Sequence, residues 1–399
     1  MAIKVELNDL ALGGGKPLFE QIKSVSNLVR PDIESFLKYS RKFFDAQTST
    51  GHGPVETLME RRLAEFHEAR HCVSFCGGFW GLVLAMKCLA LPGRTEVVMP
   101  SLTYRRLADI VAWAGLTPHF CEVDPDLLCI TGETAATCIN ENTALILGVH
   151  PIVNCCDIDG LEALSERTGI PLLIDAVESV YESYKGRKIG SCARAECFSM
   201  QSSKLFNAFE GGYVTTNDDV LAERLRTMRD FGVGADGIPD EVCALGVQQN
   251  EMHASMALAC LDDVDEQMAA NLQRYRAYQR CLATVPGIKL REFDESERCG
   301  FKNILVELLD DWPLTREATI SLLNAENMLC RPYYSPPLHL KSTGYPMLWG
   351  DLAQTERLAK KFLLLPCGYF VSEADVEQIA HFLAFIQKHA QDIKQRGFA

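Results

Sequence analysis

Two side chains stand out for the chemistry they could do together. Lys204 lies in a polar turn, Gln201-Ser202-Ser203-Lys204, that leaves the apolar run Glu196 to Met200. A lysine carried from a strand end into a crevice loses solvation, which lowers its pKa and frees the amine to attack a carbonyl carbon. Upstream, the apolar run Pro171 to Ile174 ends in a carboxylate, Asp175. Charged side chains are mostly solvated, so either residue alone means little. An acid closing one buried strand and an amine following the next form a pair suited to a carbonyl compound with a basic ring nitrogen. Such a compound is pyridoxal 5′-phosphate. Its aldehyde condenses with a lysine amine, and a carboxylate keeps its pyridine nitrogen protonated so that the ring draws in electrons.

These residues need a frame. Strand-like runs fall at His71–Phe75, Glu96–Pro100, 117–120, 144–149, 171–176, 196–200 and 213–216. Helical spacing separates many of them: 55–70, the stretch from Gly78 to Ala90, 159–168 and 221–229. Strands alternating with helices predict a mainly parallel, seven-stranded sheet covered on both faces, with its site beyond the carboxyl ends of the strands. Cys76-Gly77-Gly78 sits between a strand and a helix, where backbone N–H groups and the helix dipole are offered to a phosphate. A helical stretch from Asn250 to Val285 leads to a second region, with strands at 288–293 and 303–308 and helices at 316–325 and 373–389.

The same residues occur as an ordered set: Asp175-Ala176-Val177-Glu178, Tyr184-Lys185-Gly186-Arg187, Gly190-Ser191, Phe198-Ser199, Lys204 and Glu210-Gly211-Gly212. In this order they resemble the DegT/StrS family of sugar aminotransferases, whose members read Asp-Ala-Ala-(Gln or His), Tyr-Lys-Gly-Arg, Gly-Ser, Phe-Ser, a lysine turn and Glu-Gly-Gly. The likeness runs from about Gly51 to near Gly368. It implies an α/β, aspartate-aminotransferase-like fold with an N-terminal arm (1–50), a large cofactor domain (51–262) and a smaller α+β domain (263–399) that includes the bridging helix. It also implies a homodimer with shared sites, glutamate as amino donor and a keto-sugar acceptor. By resemblance Lys204 and Asp175 are catalytic, Gly77, Gly78 and Ser199 hold the cofactor phosphate, Tyr104 stacks on the ring, and Gln248 takes the place of an Asn. The stretch Ala325 to His339 is similar to the branch acting on dTDP-4-keto-6-deoxy sugars, which makes Arg331, Tyr333 and His339 substrate-side residues.

The chain departs from the pattern in several places. Gly78-Phe79-Trp80 replaces the Gly-Thr of the phosphate site, the cation that follows the Asn is missing near Gln248, and the loop His150 to Asn154 lacks the family's glycine. Glu178 stands where relatives have Gln or His, which can donate to the cofactor's 3-oxygen. An ionised Glu cannot, so the expectation is that Glu178 is either protonated, its pKa raised by burial, or turned away. Alternatives to amination of a nucleotide-linked keto sugar are amination of a free keto sugar or cyclitol, a dehydratase, or a cofactor-binding homologue without turnover. Lys204 argues against the dehydratase branch that carries histidine there.

Bulk properties limit the partners. A net charge of −14 disfavours nucleic acid and anionic membrane surfaces, which require clustered Lys and Arg. The N-terminus lacks a signal-like apolar core, and no run approaches the ~20 apolar residues of a membrane span. Sixteen irregularly spaced cysteines in apolar segments predict free thiols in a reducing cytoplasm. Cys155-Cys156 beside His150 and Asp157 lacks the spacer of a structural zinc site, so no metal is expected.

Overall fold

The computed structural model describes residues 6–26, 28–46, 53–233 and 243–398. The polar run 48–52 before Gly53 and the glycine-containing run 234–237 lie outside the described residues.

The central sheet has eight strands in the order Leu348–Trp349, Thr117–Cys121, Glu96–Pro100, Thr143–Val149, Leu172–Asp175, Ala195–Ser199, Gly212–Thr216 and His71–Phe75. Neighbours are parallel except for Gly212–Thr216, which is antiparallel to both of its partners. All seven expected strands form, and the eighth is a two-residue edge strand supplied from far along the chain. The strands read as unbroken apolar runs because both faces are covered, the usual state of a parallel sheet. Alternation then sorts their side chains. Val98, Ile146, Ile174 and Phe198 enter one core layer, while Val97, Leu145, Leu173 and Cys197 enter the other.

A second, antiparallel sheet of four strands has the order Ile288–Leu290, Ile304–Leu308, Phe362–Leu365 and Arg331–Pro332. The expected helical stretch from Asn250 to Val285 is two helices, Glu251–Asp262 and Val264–Leu282, which part at Asp263 (φ −96°, ψ 8°). At that break Asp262 is held from outside, by the Tyr39 hydroxyl at 2.8 Å and by Arg62 at 2.6 Å.

The N-terminal segment is docked rather than free. Lys23–Ser24 pairs in parallel with Met328–Leu329, and the Glu326 carboxylate accepts from the amides of Ala11 (2.9 Å) and Leu18 (2.7 Å). Glu251, which opens the helix Glu251–Asp262, turns its carboxylate onto the amides of Val55 (3.0 Å) and Glu56 (2.8 Å), the first turn of the helix Pro54–His67. A carboxylate there satisfies orphan N–H groups and complements the helix dipole.

The helix Gly78–Leu89 begins against the strand Gly212–Thr216 at a contact that admits no side chain. A Cβ on Gly212 would stand 2.3 Å from the Gly78 nitrogen, whereas one on Gly77 would meet nothing within 4 Å. Gly212→Ala should therefore lower stability by about 1–3 kcal/mol through overpacking against backbone, while Gly77→Ala changes it by less than about 0.5 kcal/mol. Calorimetric unfolding of the two variants checks this, and equal midpoints would show that the helix end simply retreats.

Candidate active site

Asp175 closes the strand Leu172–Asp175 and is in register with Val149 on one side and Cys197 on the other. Its backbone is fixed there: the His150 amide donates to its carbonyl at 3.1 Å, and the next amide, Ala176, donates to the Cys197 carbonyl at 2.9 Å. The carboxylate is buried and accepts from the Val177 amide at 3.2 Å. Burial pushes its pKa up to about 6, against the opposing pull of the Val177 amide and the Lys204 charge. The loop lacking the family's glycine is built with Asn154 in the left-handed region (φ 67°), a conformation that asparagine tolerates.

Lys204 rides on a loop that leaves the strand Ala195–Ser199 and returns into Gly212–Thr216. The loop is closed by its own backbone, with Met200 N–H to Gly211 O (2.8 Å), Ala208 N–H to Met200 O (2.9 Å) and Lys204 N–H to Gln201 O (2.8 Å). The Lys204 ammonium forms an ion pair with one oxygen of Glu178. The other oxygen accepts from Lys302 Nζ at 2.9 Å and from Asn303 Nδ2 at 3.3 Å. The expectation of a protonated Glu178 is thereby corrected: burial alone would raise its pKa, but the Lys204 and Lys302 charges outweigh burial and hold the carboxyl well below the usual carboxylate range. Lys302 and Asn303 escaped sequence reasoning, because they precede the strand Ile304–Leu308 of the other sheet and only tertiary packing brings them here.

The helix Gly78–Leu89 has no side-chain cap at Gly77. Ser199 lies beside this end, since a Cβ on Gly78 would fall 3.1 Å from the Ser199 Cβ. Uncapped N–H groups, a helix dipole and an adjacent hydroxyl make an anion cradle. Opposite, Cys76 donates its amide to the Val247 carbonyl at 2.8 Å, and Gln248 beside it is half-buried. Tyr104 is 47% exposed, so its ring has a free face. A tyrosine not singled out from sequence, Tyr334, feels both acids: burial first, then Tyr333, Glu178, Asp175 and Tyr104, raise its hydroxyl pKa.

The three substrate-side candidates occupy different settings. Arg331 is exposed on its short strand. Tyr333 is buried, its ring 4.4 Å from that of Tyr334 and 6.2 Å from that of Phe362. His339 is also buried, and both ring nitrogens are engaged: Nδ1 with Ser101 Oγ at 2.7 Å, Nε2 with Glu356 at 3.3 Å. Among the described residues no group of three or more His, Cys, Asp or Glu side chains is placed to hold a metal ion, and no helix is long and apolar enough to cross a membrane.

The model of the DegT/DnrJ/EryC1/StrS aminotransferase family matches residues 32–384. The chain belongs to that family. It is thus a transaminase, and membership implies pyridoxal 5′-phosphate as cofactor. The chain is 29% identical over 341 residues to the GDP-perosamine synthase of Caulobacter vibrioides, covering 83% of this chain and 89% of that one. An L-glutamine:2-deoxy-scyllo-inosose aminotransferase of Streptomyces fradiae is 37% identical over 177 residues, 44% of this chain and 42% of that enzyme. Among solved structures, DesI in the presence of its TDP-sugar product superposes with a TM-score of 0.91 at 30% identity, covering 99% of this chain and 100% of that one. DesV of S. venezuelae, in complex with a ketimine intermediate, gives 0.80 at 25% identity, covering 89% and 95%.

The environment of Asp175 has a measurable consequence in the cofactor-free enzyme. A carboxyl whose folded pKa of about 6 exceeds its ordinary 3.8 adds no cost below pH 3.8, where both states are protonated. The cost grows between those values and is complete above pH 6 or so. Asp175→Asn removes it, so the stripped variant should exceed the stripped parent in unfolding free energy by on the order of 2–3 kcal/mol above neutrality. The gain should vanish near pH 4. Denaturation of both proteins across this range checks it, and a difference independent of pH would contradict the buried, ionising Asp175.

Proposed function

We propose that the enzyme moves the amino group of L-glutamate to the ketone of a nucleotide-linked keto sugar, with pyridoxal 5′-phosphate bound at Lys204. The observation that carries the reading is the convergence of the buried Asp175, the Lys204 amine and the uncapped end of the helix Gly78–Leu89 at the carboxyl ends of neighbouring strands. These residues fit the cofactor. Lys204 would hold it covalently and Asp175 its ring nitrogen. Gly77, Gly78, Ser199 and Gln248 would hold the phosphate, and Tyr104 would cover a ring face. When bound, the cofactor supplies an electron sink for the carbon that loses its proton.

The protein's own part is to hold charge and move one proton. Lys204 Nζ, once free, takes the proton from the α-carbon of glutamate, and in the second half of the reaction it returns a proton to the carbon of the ketone. Lys302 holds the other Glu178 oxygen, so the carboxylate keeps a partner when Lys204 departs. Asp175, whose pKa burial raises, would be held as an anion by the cationic ring nitrogen of the bound cofactor.

A nucleotide-linked sugar is favoured because GDP-perosamine synthase and DesI, seen with its TDP-sugar product, match 83% and 99% of this chain, whereas the scyllo-inosose aminotransferase matches 44% of it. Arg331, an exposed guanidinium, is assigned to the diphosphate on its charge. Tyr333 and His339 are assigned to the sugar pocket's wall, where they hold Tyr334 and the Ser101 turn. A homodimer is proposed from the resemblance. The cytoplasm is proposed on the strength of sixteen free cysteines.

Two measurements test this reading. Borohydride reduction followed by peptide mapping should put the cofactor's mass on Lys204, and Lys204→Arg should abolish the adduct and cut turnover by about 10³-fold or more. An adduct on another lysine would overturn the assignment. Glutamate should release 2-oxoglutarate, and kcat/KM for nucleotide-linked keto sugars should exceed that for free cyclitol ketones by on the order of a hundredfold, because the nucleotide supplies remote binding energy. Equal values would favour the free acceptor.

A further inference from the structure

Beside Tyr104 the chain collects positive charge, in a protein whose formal net charge is −14. Two segments remote in sequence are joined there rung by rung. Ser101 Oγ lies 2.7 Å from His339 Nδ1, Lys341 Nζ donates to the Arg105 carbonyl at 2.8 Å, and the Tyr345 hydroxyl donates to Asp109 Oδ1 at 2.5 Å. The Leu338 amide adds a bond to the Ser101 carbonyl at 3.0 Å. On one side the rungs fall at every fourth residue, Ser101, Arg105 and Asp109, as the chain leaves the strand Glu96–Pro100 and enters the helix Leu107–Trp113. Lys341 is thereby laid against Arg105, from which 236 positions separate it in sequence.

Charge does not balance within this ladder. The runs 101–109 and 338–345 hold three cations, Arg105, Arg106 and Lys341, and one carboxylate, Asp109. Both oxygens of that carboxylate are taken, Oδ1 by Tyr345 and Oδ2 by Arg106 Nε at 3.0 Å. Among the described residues no carboxylate pairs with Lys341, and neither an ion pair nor a hydrogen bond engages the exposed Arg105 guanidinium. Desolvation first, then the Arg105 and Arg106 charges, lower the Lys341 pKa despite Asp109. An ammonium and a guanidinium held together without an acid repel each other, and an anion that bridges them relieves the repulsion.

We propose that Arg105 and Lys341 receive the diphosphate of a nucleotide-linked acceptor, so that the nucleotide leaves the site past Tyr104. The inference rests on the acceptor reading given above and adds two cations to Arg331. A diphosphate suits the pair: the guanidinium offers a planar fork to phosphate oxygens and the ammonium a point charge. The order along the chain suits it as well. Tyr104, assigned to a face of the cofactor ring, directly precedes Arg105, just as the reacting sugar precedes its diphosphate.

The test is titration calorimetry of GDP and TDP into the cofactor-loaded enzyme, for the parent, Arg105→Gln, Lys341→Gln and the double variant, each verified as folded by circular dichroism. Each single change should weaken binding about tenfold and the pair about a hundredfold. Added salt should weaken binding to the parent far more than binding to the double variant. The advantage in kcat/KM of a nucleotide-linked keto sugar over the same sugar without its nucleotide should shrink by a similar factor. If the diphosphates bind parent and double variant alike, the proposal is overturned while the nucleotide-linked acceptor stands. If neither binds the parent, that acceptor is wrong and the proposal falls with it.

Discussion

The carboxylate of Glu178 is the joint of this molecule. One oxygen faces Lys204, on the loop between two strands of the large sheet, and the other faces Lys302 and Asn303, just before the strand Ile304–Leu308 of the small sheet. A buried carboxylate with one cation would be left uncompensated whenever that cation moved, a cost of several kcal/mol in a dry site. Two cations from independent elements avoid this. The chain can therefore carry a buried acid at this position, and the compensation comes from a part of the sequence with no motif of its own.

Close backbone approach is the second constraint. Gly212 exists because the Gly78 nitrogen lies where its side chain would be, and that contact sets the start of the helix Gly78–Leu89 at the strand ends with its first N–H groups uncapped. Gly211, at φ 147°, similarly makes room for the Gln249 side chain. The Glu-Gly-Gly run thus serves geometry rather than chemistry. It lets a helix end, a hydroxyl and a buried acid share one crevice.

The N-terminal segment is tied into the same frame. Asn207, in the lysine loop, donates its amide nitrogen to the Val29 carbonyl at 2.6 Å, and the Glu326 carboxylate accepts from the N-terminal segment. The loop that carries Lys204 is thus braced by residues remote in sequence, which narrows the positions open to its amine.

The amino-acid order alone determined the alternation of elements, the acid and the lysine at adjacent strand ends, and the class of cofactor they fit, because apolar runs and the polar residues that close them are local properties. The strands Leu348–Trp349 and Phe362–Leu365 were not read from the sequence; each takes its conformation from its partners, Thr117–Cys121 for the first and Ile304–Leu308 and Arg331–Pro332 for the second. Nor was the break at Asp263, whose neighbouring Asp262 is bound to Tyr39 and Arg62. The charge state of Glu178 was beyond sequence as well. Burial and ion pairing push a carboxyl in opposite directions, and only the folded chain, by bringing Lys302 to it, decides which prevails.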